Sequence, residues 1–297
     1  MTRSLPRNYL EYAAVRFLLA LLAHTPKRAA FAIARGATRL LDLALPRLRH
    51  SALRNLEFAY PGLGPKARHD IIDGVFRSIA RLLVVFSRFP TLDISNIGEW
   101  VRNEGFEHYI EARAKGKGVL FYTAHLGNWE LSAFAHAIIA LPMHVIVRPL
   151  DNPLLDALAA RYRTASGNSL IGKRDARPIL KALAANEAVG ILADQNAGPR
   201  EGVFVEFFGR YACAHTGFAR IAARAETTVI PGYALWSEQE QRYILRFYPP
   251  IEMTGDPRTD TQRLHNQLES VIRQYPDQWL WIHRRWKTRP PGEPPLY

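Results

Sequence analysis

Residues 120–134 read LFYTAHLGNWELSAF, and how this stretch folds decides how the rest of the chain is arranged. Five apolar or small residues lead to His125, a Gly127-Asn128 pair follows, and Trp129 and Glu130 precede a second apolar run. The first part reads as a buried strand and the last as a buried helix. His125 then lies one step past a strand end, the position at which open α/β sheets bind ligands. On a regular helix two residues five apart point about 140° away from each other. His125 and Glu130 can therefore meet only if His125 sits in the turn, Gly127 lets the backbone bend back, and Glu130 faces it from the first helical turn. Two readings stand side by side. Either a carboxylate holds an imidazole that takes a proton from a hydroxyl, with no enzyme-borne nucleophile, or His125 is a core histidine and Glu130 a helix N-terminal charge.

The same rhythm continues outward from this stretch. Short β-rich runs, VLFYTA (119–124), HVIVRP (144–149), SLIG (169–172), VGILAD (189–194) and TVIPGYALW (228–236), alternate with helical patterns from Asn128, Pro153, Arg177 and Thr216. This alternation predicts an α/β fold with a mostly parallel central sheet flanked by helices. RYILRFYPPI (242–251) adds a strand, and Leu264, Leu268, Val271, Ile272 and Tyr275 mark a last amphipathic helix.

Upstream the pattern is helical. Val15, Leu18, Leu19 and Leu22 recur on one face of a first helix, and a second begins after Pro26. In the second, Arg28, Arg35 and Arg39 form a stripe opposite Ile33, Ala37, Leu40 and Ala44. Prolines and glycines in 59–68 break the pattern before a helix from Pro65 to Phe89, which Pro90 stops. The apolar run Tyr12–Ala23 spans roughly 18 Å as a helix, against a hydrocarbon core of about 30 Å, and Arg16 interrupts it. It reads as an uncleaved, membrane-seeking helix. The expected division is a helical, membrane-associated region over 1–97, packed on an α/β core over 98–297 as one continuous domain. A basic amphipathic helix suits an anionic bilayer; a helical layer with its arginines in water is compatible with it.

At 297 residues and 48% hydrophobic content the chain can bury a large core. The lone cysteine, Cys213, rules out an internal disulfide framework and a cysteine-based zinc site. The formal charge is +12, and 32 of the 39 basic residues are arginine, whose planar fork suits phosphate and carboxylate. Either an anionic partner or an arginine-rich composition accounts for the excess. GNSLIG misses the G-x-S-x-G elbow by one residue, which weakens Ser169 as a nucleophile. GKGVLF precedes its strand and lacks a third glycine, so it is no dinucleotide fingerprint, and neither a Walker A motif nor H-E-x-x-H occurs.

The H-x4-E pair His125/Glu130 within HLGNWE, followed in order by VRPLDNPLLD, ILADQN, VEFFGR, VIPGYAL and QWLWIHRRWKTRP, resembles the lysophospholipid acyltransferase superfamily. Within it, the chain looks like the bacterial lipid A biosynthesis (late, secondary) acyltransferase branch over nearly its whole length. That resemblance implies transfer of a fatty acyl group from acyl-carrier protein or coenzyme A, as co-substrate and without a cofactor or metal, to a glycolipid hydroxyl. It implies His125 as the base and Glu130 as the group that orients and charges it. It suggests Arg148, Asp194, Gln195 and Asn128 as oxyanion or substrate contacts, and Arg284, Arg285 and Lys287 as contacts to a lipid phosphate. It also implies work on the cytoplasmic face of the inner membrane, peripherally or through one short N-terminal anchor. The alternative for Arg148 is an ion pair with Asp151 or Asp156. Trp279, Trp281 and Trp286 suit either a membrane interface or core-edge packing. Two other classes compete: a basic nucleic-acid-binding protein, for which no recognised motif speaks, and a metal-dependent hydrolase using His125, Glu130 and Asp194.

Overall fold

The computed structural model describes residues 4–173 and 175–297. Four helices come first: α1 (Leu5–His24), α2 (Lys27–Ala44), α3 (Pro46–Ala59) and α4 (Pro65–Arg88). Prolines stand in the first turns of α1, α3 and α4, where the missing N–H costs nothing. α4 ends at Arg88 and passes into a tight 3-10 turn, Phe89–Thr91, at the proline expected to stop it.

The α/β part then runs β1 (Val101–Glu104), α5 (Phe106–Ala114), β2 (Val119–Thr123), α6 (Trp129–Ile139), β3 (His144–Val147), α7 (Pro153–Arg163), β4 (Ser169–Gly172), α8 (Ala176–Ala184) and β5 (Ala188–Leu192). It continues through β6 (Gly202–Phe207), β7 (Arg210–His215), α9 (Gly217–Ala225), β8 (Thr228–Ser237), β9 (Arg242–Phe247) and α10 (Pro257–Gln274). Seven strands form one sheet in the order β1-β9-β8-β2-β5-β3-β4. β8, β2, β5, β3 and β4 are mutually parallel; β9 runs antiparallel to β8, and β1 is parallel to β9. The mostly parallel sheet flanked by helices matches the expectation. Every residue of β2 is buried, as a central strand covered on both faces must be.

Three elements had no signal in the sequence. β1 reads VRNE, too short and polar for a strand pattern. It holds the edge through parallel pairing to β9 and the Arg102–Glu240 ion pair (2.6 Å). β6 and β7 form a separate antiparallel hairpin whose two turn residues, Phe208 and Gly209, both have positive φ (57° and 69°). Asn-Gly or Asp-Gly is the familiar signature of such a turn. Here the first position is a phenylalanine, held because its ring is buried against Tyr60 and Trp281.

The sheet separates two apolar layers. One gathers α3, α8, α9, α10 and the hairpin around Trp279, Trp281 and Trp286; the other gathers α1, α2, α5 and α6. α4 contributes Ile72 and Val75 to the first and Val84 and Val85 to the second, which ties the helical layer to the sheet. The three tryptophans are at most 2% exposed, so packing, and not a membrane interface, is their setting. α1 seats Leu19 and Leu22 inward but leaves Leu5, Leu10 and Phe17 about 70% exposed (70%, 72% and 70%). Among the described residues no helix is long and apolar enough to cross a membrane.

Candidate active site

β2 and β5 are neighbours in register, Val119 opposite Ala188 through Thr123 opposite Leu192. An alanine, Ala124 or Ala193, follows each strand, and the ladder reaches it: the Ala193 N–H donates to the Thr123 carbonyl (3.1 Å). The next residue on each strand is His125 on one side and Asp194 on the other. Constant register thus carries the imidazole and the carboxylate out of the sheet side by side. His125 Nδ1 lies 2.8 Å from Asp194 Oδ1, and the His125 backbone N–H donates to Oδ2 (3.0 Å). Oδ2 also accepts from the Trp279 indole N–H (2.9 Å). A carboxylate only accepts, so Nδ1 carries the proton and Nε2 the lone pair.

The turn is built as the sequence suggested. Gly127 has φ +64°, and a Cβ there would lie 2.1 Å from the Ala234 carbonyl oxygen; only glycine fits. The C-terminal segment clamps the bend from outside. Gly127 N–H donates to the Gln278 carbonyl (2.9 Å), and Leu280 N–H to the His125 carbonyl (2.9 Å). Asn128 is the N-cap of α6, its side-chain oxygen accepting from Leu131 N–H (3.0 Å), a preferred residue for that position. It is fully buried and does not line the cavity. Asn128 is therefore a capping residue rather than a cavity contact, because its side-chain oxygen holds the helix terminus and the residue is sealed from the cavity.

Glu130 does lie in the first turn of α6, but it does not hydrogen-bond His125. Arg163, the last residue of α7, takes both its oxygens (Nη2–Oε1 2.6 Å, Nε–Oε2 2.8 Å). The fork geometry of the guanidinium matches the carboxylate, and the pair is mostly shielded, 21% and 12% exposed. Asp194 thus takes the place beside His125 that was expected of Glu130, because strand register brings Asp194 to the imidazole while the helix turns Glu130 toward α7. Glu130 still acts on His125 through space. Burial alone would push the His125 pKa down; the Asp194 carboxylate and then Glu130 outweigh it, Arg163 opposing, and leave it raised. Burial would likewise raise Asp194, yet the His125 charge and the hydrogen bonds from His125 and Trp279 hold it well below the usual carboxylate range.

His125, Glu130 and Arg163 stand on the wall of a cavity of about 1510 Å³ across the carboxyl ends of β3 and β5. Apolar side chains line it deeper in, among them Phe134, Val145, Leu155, Ile191 and Phe218. Gln195 reaches its rim with Nε2 3.5 Å from His125 Nε2. Arg148 also lines it, 66% exposed, with an ion pair to Asp151 (3.0 Å). Arg284 and Lys287 border the same cavity.

Arg285 does not. It is fully buried and donates to the Cys213 carbonyl (2.7 Å) and toward His265 Nε2 (3.0 Å). The turns of the C-terminal segment bury Arg285 beside Trp286 while Arg284 and Lys287 face the cavity, so it is not placed to meet a lipid phosphate there. His265 is held neutral, its pKa lowered to about 3 by burial and then by Arg285, which leaves Nε2 free to accept. His125, Glu130 and Asp194 do not form a ligand set, and among the described residues no three His, Cys, Asp or Glu side chains stand where they could hold a metal ion.

The resemblance suggests Asp194 as an oxyanion or substrate contact; the structure sets it on the imidazole instead. Its signal was present in the equal lengths of VLFYTAH and AVGILAD, but only strand order makes them neighbours. Arg163 and Trp279 were missed as site residues. Nothing in their local sequence marks them, since each reaches the site from a distant element.

Comparison with known proteins gives the family. Residues 1–288 match the family described as bacterial lipid A biosynthesis acyltransferase. The chain is 28% identical to the lipid A biosynthesis lauroyltransferase of Escherichia coli (strain K12), over 98% of this chain and 96% of that protein. It is 30% identical to the lipid A biosynthesis palmitoleoyltransferase of the same strain, over 88% and 86% of the two chains. It is 24% identical to the lipid A biosynthesis acyltransferase of Haemophilus influenzae, over 93% and 87%. The histidine at the strand end, its buried aspartate and the cavity before them thus sit in an acyltransferase that belongs to the bacterial lipid A biosynthesis acyltransferase family.

Proposed function

We propose that the chain moves a fatty acyl group from a thioester donor, acyl-carrier protein or coenzyme A, to a hydroxyl of a lipid A precursor at the cytoplasmic face of the inner membrane. The observation that carries this reading is the protonation pattern of His125. Nδ1–H is committed to Asp194, so the basic Nε2 looks toward Gln195 and the cavity. The relatives named above transfer lauroyl or palmitoleoyl groups in lipid A biosynthesis, which supports the same acceptor class here.

An acceptor hydroxyl held near Nε2 attacks the thioester carbonyl as its proton passes to Nε2. A carbon–oxygen bond forms, the carbon–sulfur bond breaks, and the imidazolium returns its proton to the departing thiolate. Asp194 stabilises the imidazolium without itself taking the proton. The Gln195 amide is the nearest side-chain donor for the oxyanion. Glu130 adds negative charge close to the imidazole, and Arg163 is a positioning residue that pins it. Arg148, Arg284 and Lys287 supply cations for acceptor phosphates, and the apolar walls take acyl chains. The exposed apolar face of α1 rests on the bilayer: Asn152, which lines the cavity, ties α1 to its rim through the Asn8 carbonyl (3.0 Å) and Glu11 (3.1 Å).

His125→Ala is expected to lower turnover at least about a hundredfold while the protein stays folded. Lipid mass spectrometry of a deletion strain should show one acyl chain missing from lipid A. Near-normal turnover in the variant would remove His125 as the base, and an unchanged lipid profile would remove the acceptor assignment.

A further inference from the structure

A second cavity, of about 350 Å³, lies away from the sheet between α2, α3 and α4, and its lining includes Arg35, Arg39, Arg49 and Arg77. Asp42 and Asp73 are the carboxylates in that lining, so four guanidiniums leave an excess of two positive charges. Asp42 is 4% exposed and already engaged: Arg49 holds it at 2.6 Å and also reaches Asp73 at 2.5 Å. Arg39 stands 3.8 Å from Asp42 and 3.9 Å from Asp73. This network fixes the floor. Arg35 and Arg77 line the same space, and among the described residues neither guanidinium has an ion pair or hydrogen bond.

Two further features point to a ligand and to its source. Gly36 sits in the middle of α2 within this lining, and a Cβ there would meet nothing within 4 Å. Glycine costs a helix interior about 1 kcal/mol relative to alanine; no protein neighbour requires it here, and its effect is an open backbone in the cavity wall. The solvent face of α2 beside it is apolar, with exposed Ala29, Ala32, Leu40 and Leu43, the two leucines at 68% and 65%. Apolar side chains next to an arginine pocket complement a lipid surface, where acyl chains lie just below phosphates.

We infer that the pocket between α2, α3 and α4 binds the phosphate of an anionic phospholipid headgroup, with Arg35 and Arg77 as its donors, while Leu40 and Leu43 enter the acyl region. This rests on the membrane-surface reading above and adds to it a discrete headgroup site separate from the catalytic cavity. α2 then lies flat on the bilayer.

The test uses the full chain and vesicles of phosphatidylcholine with and without phosphatidylglycerol. Arg35→Gln/Arg77→Gln should weaken binding to phosphatidylglycerol vesicles by about thirtyfold, near what two interfacial cations contribute. Binding to pure phosphatidylcholine, turnover in detergent and the melting temperature should hold. Gly36→Gln, which fills the pocket at constant charge, should give a similar loss. Arg224→Gln/Arg258→Gln, the same charge change on exposed residues of α9 and α10, should cost less than about twofold by the same measure. Equal losses in both arginine pairs would overturn the site in favour of general charge. No loss in the first pair or in Gly36→Gln would also overturn it, as would selective release by inorganic phosphate at matched ionic strength, which would make the ligand a free anion. A wild-type chain that binds neither vesicle would instead defeat the membrane reading itself.

Discussion

At the ends of β2 and β5, Asp194 accepts three hydrogen bonds at 3% exposure, and Glu130 is gripped by both arms of Arg163. Along α2, by contrast, Arg35 stands in solvent beside Leu40 and Leu43, which the protein leaves uncovered. The first region is complete within the chain, its charges oriented before any substrate arrives. The second leaves both its cations and its apolar surface unsatisfied, as a face that meets another phase must. In the function proposed above, the first set of groups does the chemistry and the second chooses where it happens. Preorganised polar groups gain strength from exclusion of water, whereas a docking face gains only what its partner covers.

Asp194→Asn puts the sharpest strain on this contrast. An amide can present N–H to Nδ1 and favour the wrong imidazole tautomer, so turnover should fall by up to about 10⁴-fold. The pH profile supplies a second readout. His125 must be neutral to accept a proton, and its pKa is raised, so the acid limb of kcat/KM in the wild type should lie above the ordinary histidine value. In Asp194→Asn residual activity should persist to lower pH. A limb that does not move would mean that the carboxylate does not set the imidazole.

The Glu130–Arg163 pair gives the next largest effect. Glu130→Gln and Arg163→Gln should each lower turnover about a hundredfold, since either leaves a shielded charge unpaired. The double variant should be little worse than either alone, because the two act as one unit. Additive losses would show two independent roles.

Arg285→Met tests the reassignment of a charged residue to the core. It strands His265 Nε2 and leaves the Cys213 carbonyl with the Ala197 N–H alone, and should cost about 1–3 kcal/mol of stability, read by chemical denaturation. The KM for the acceptor should hold in the folded fraction. A raised KM at unchanged stability would return Arg285 to the substrate.

The smallest effects belong to the outer face of α2. Leu40→Ser/Leu43→Ser should leave turnover in detergent unchanged and stability within about 0.5 kcal/mol, since neither side chain is packed. Vesicle binding should fall about tenfold or more, as burial of exposed leucines in the bilayer is lost. Lost stability would show that the face is packed after all.

Much of this was legible in the sequence. Strands β2, β3, β4, β5, β8 and β9 were marked by apolar runs of the right length, and β4 falls on SLIG itself. The left-handed Gly127 and the site at the end of β2 followed from one strand–turn–helix pattern. The β6–β7 hairpin was not legible, because Phe208 holds a left-handed turn position by burial rather than by turn chemistry. Nor was the sorting of RRWK, in which Arg284 and Lys287 border the cavity and Arg285 enters the core.

What the sequence determined by itself is the helices and parallel strands around the site and the address of His125, because periodicity, helix-stopping prolines and a forced glycine are local properties. Only the tertiary structure decided which carboxylate serves the imidazole. Glu130 is five residues from His125 and Asp194 is sixty-nine, yet the ladder between β2 and β5 sets the distant one beside it. A partner chosen by strand order leaves no trace in spacing, since hydrogen-bond register acts between chain segments however far apart they lie.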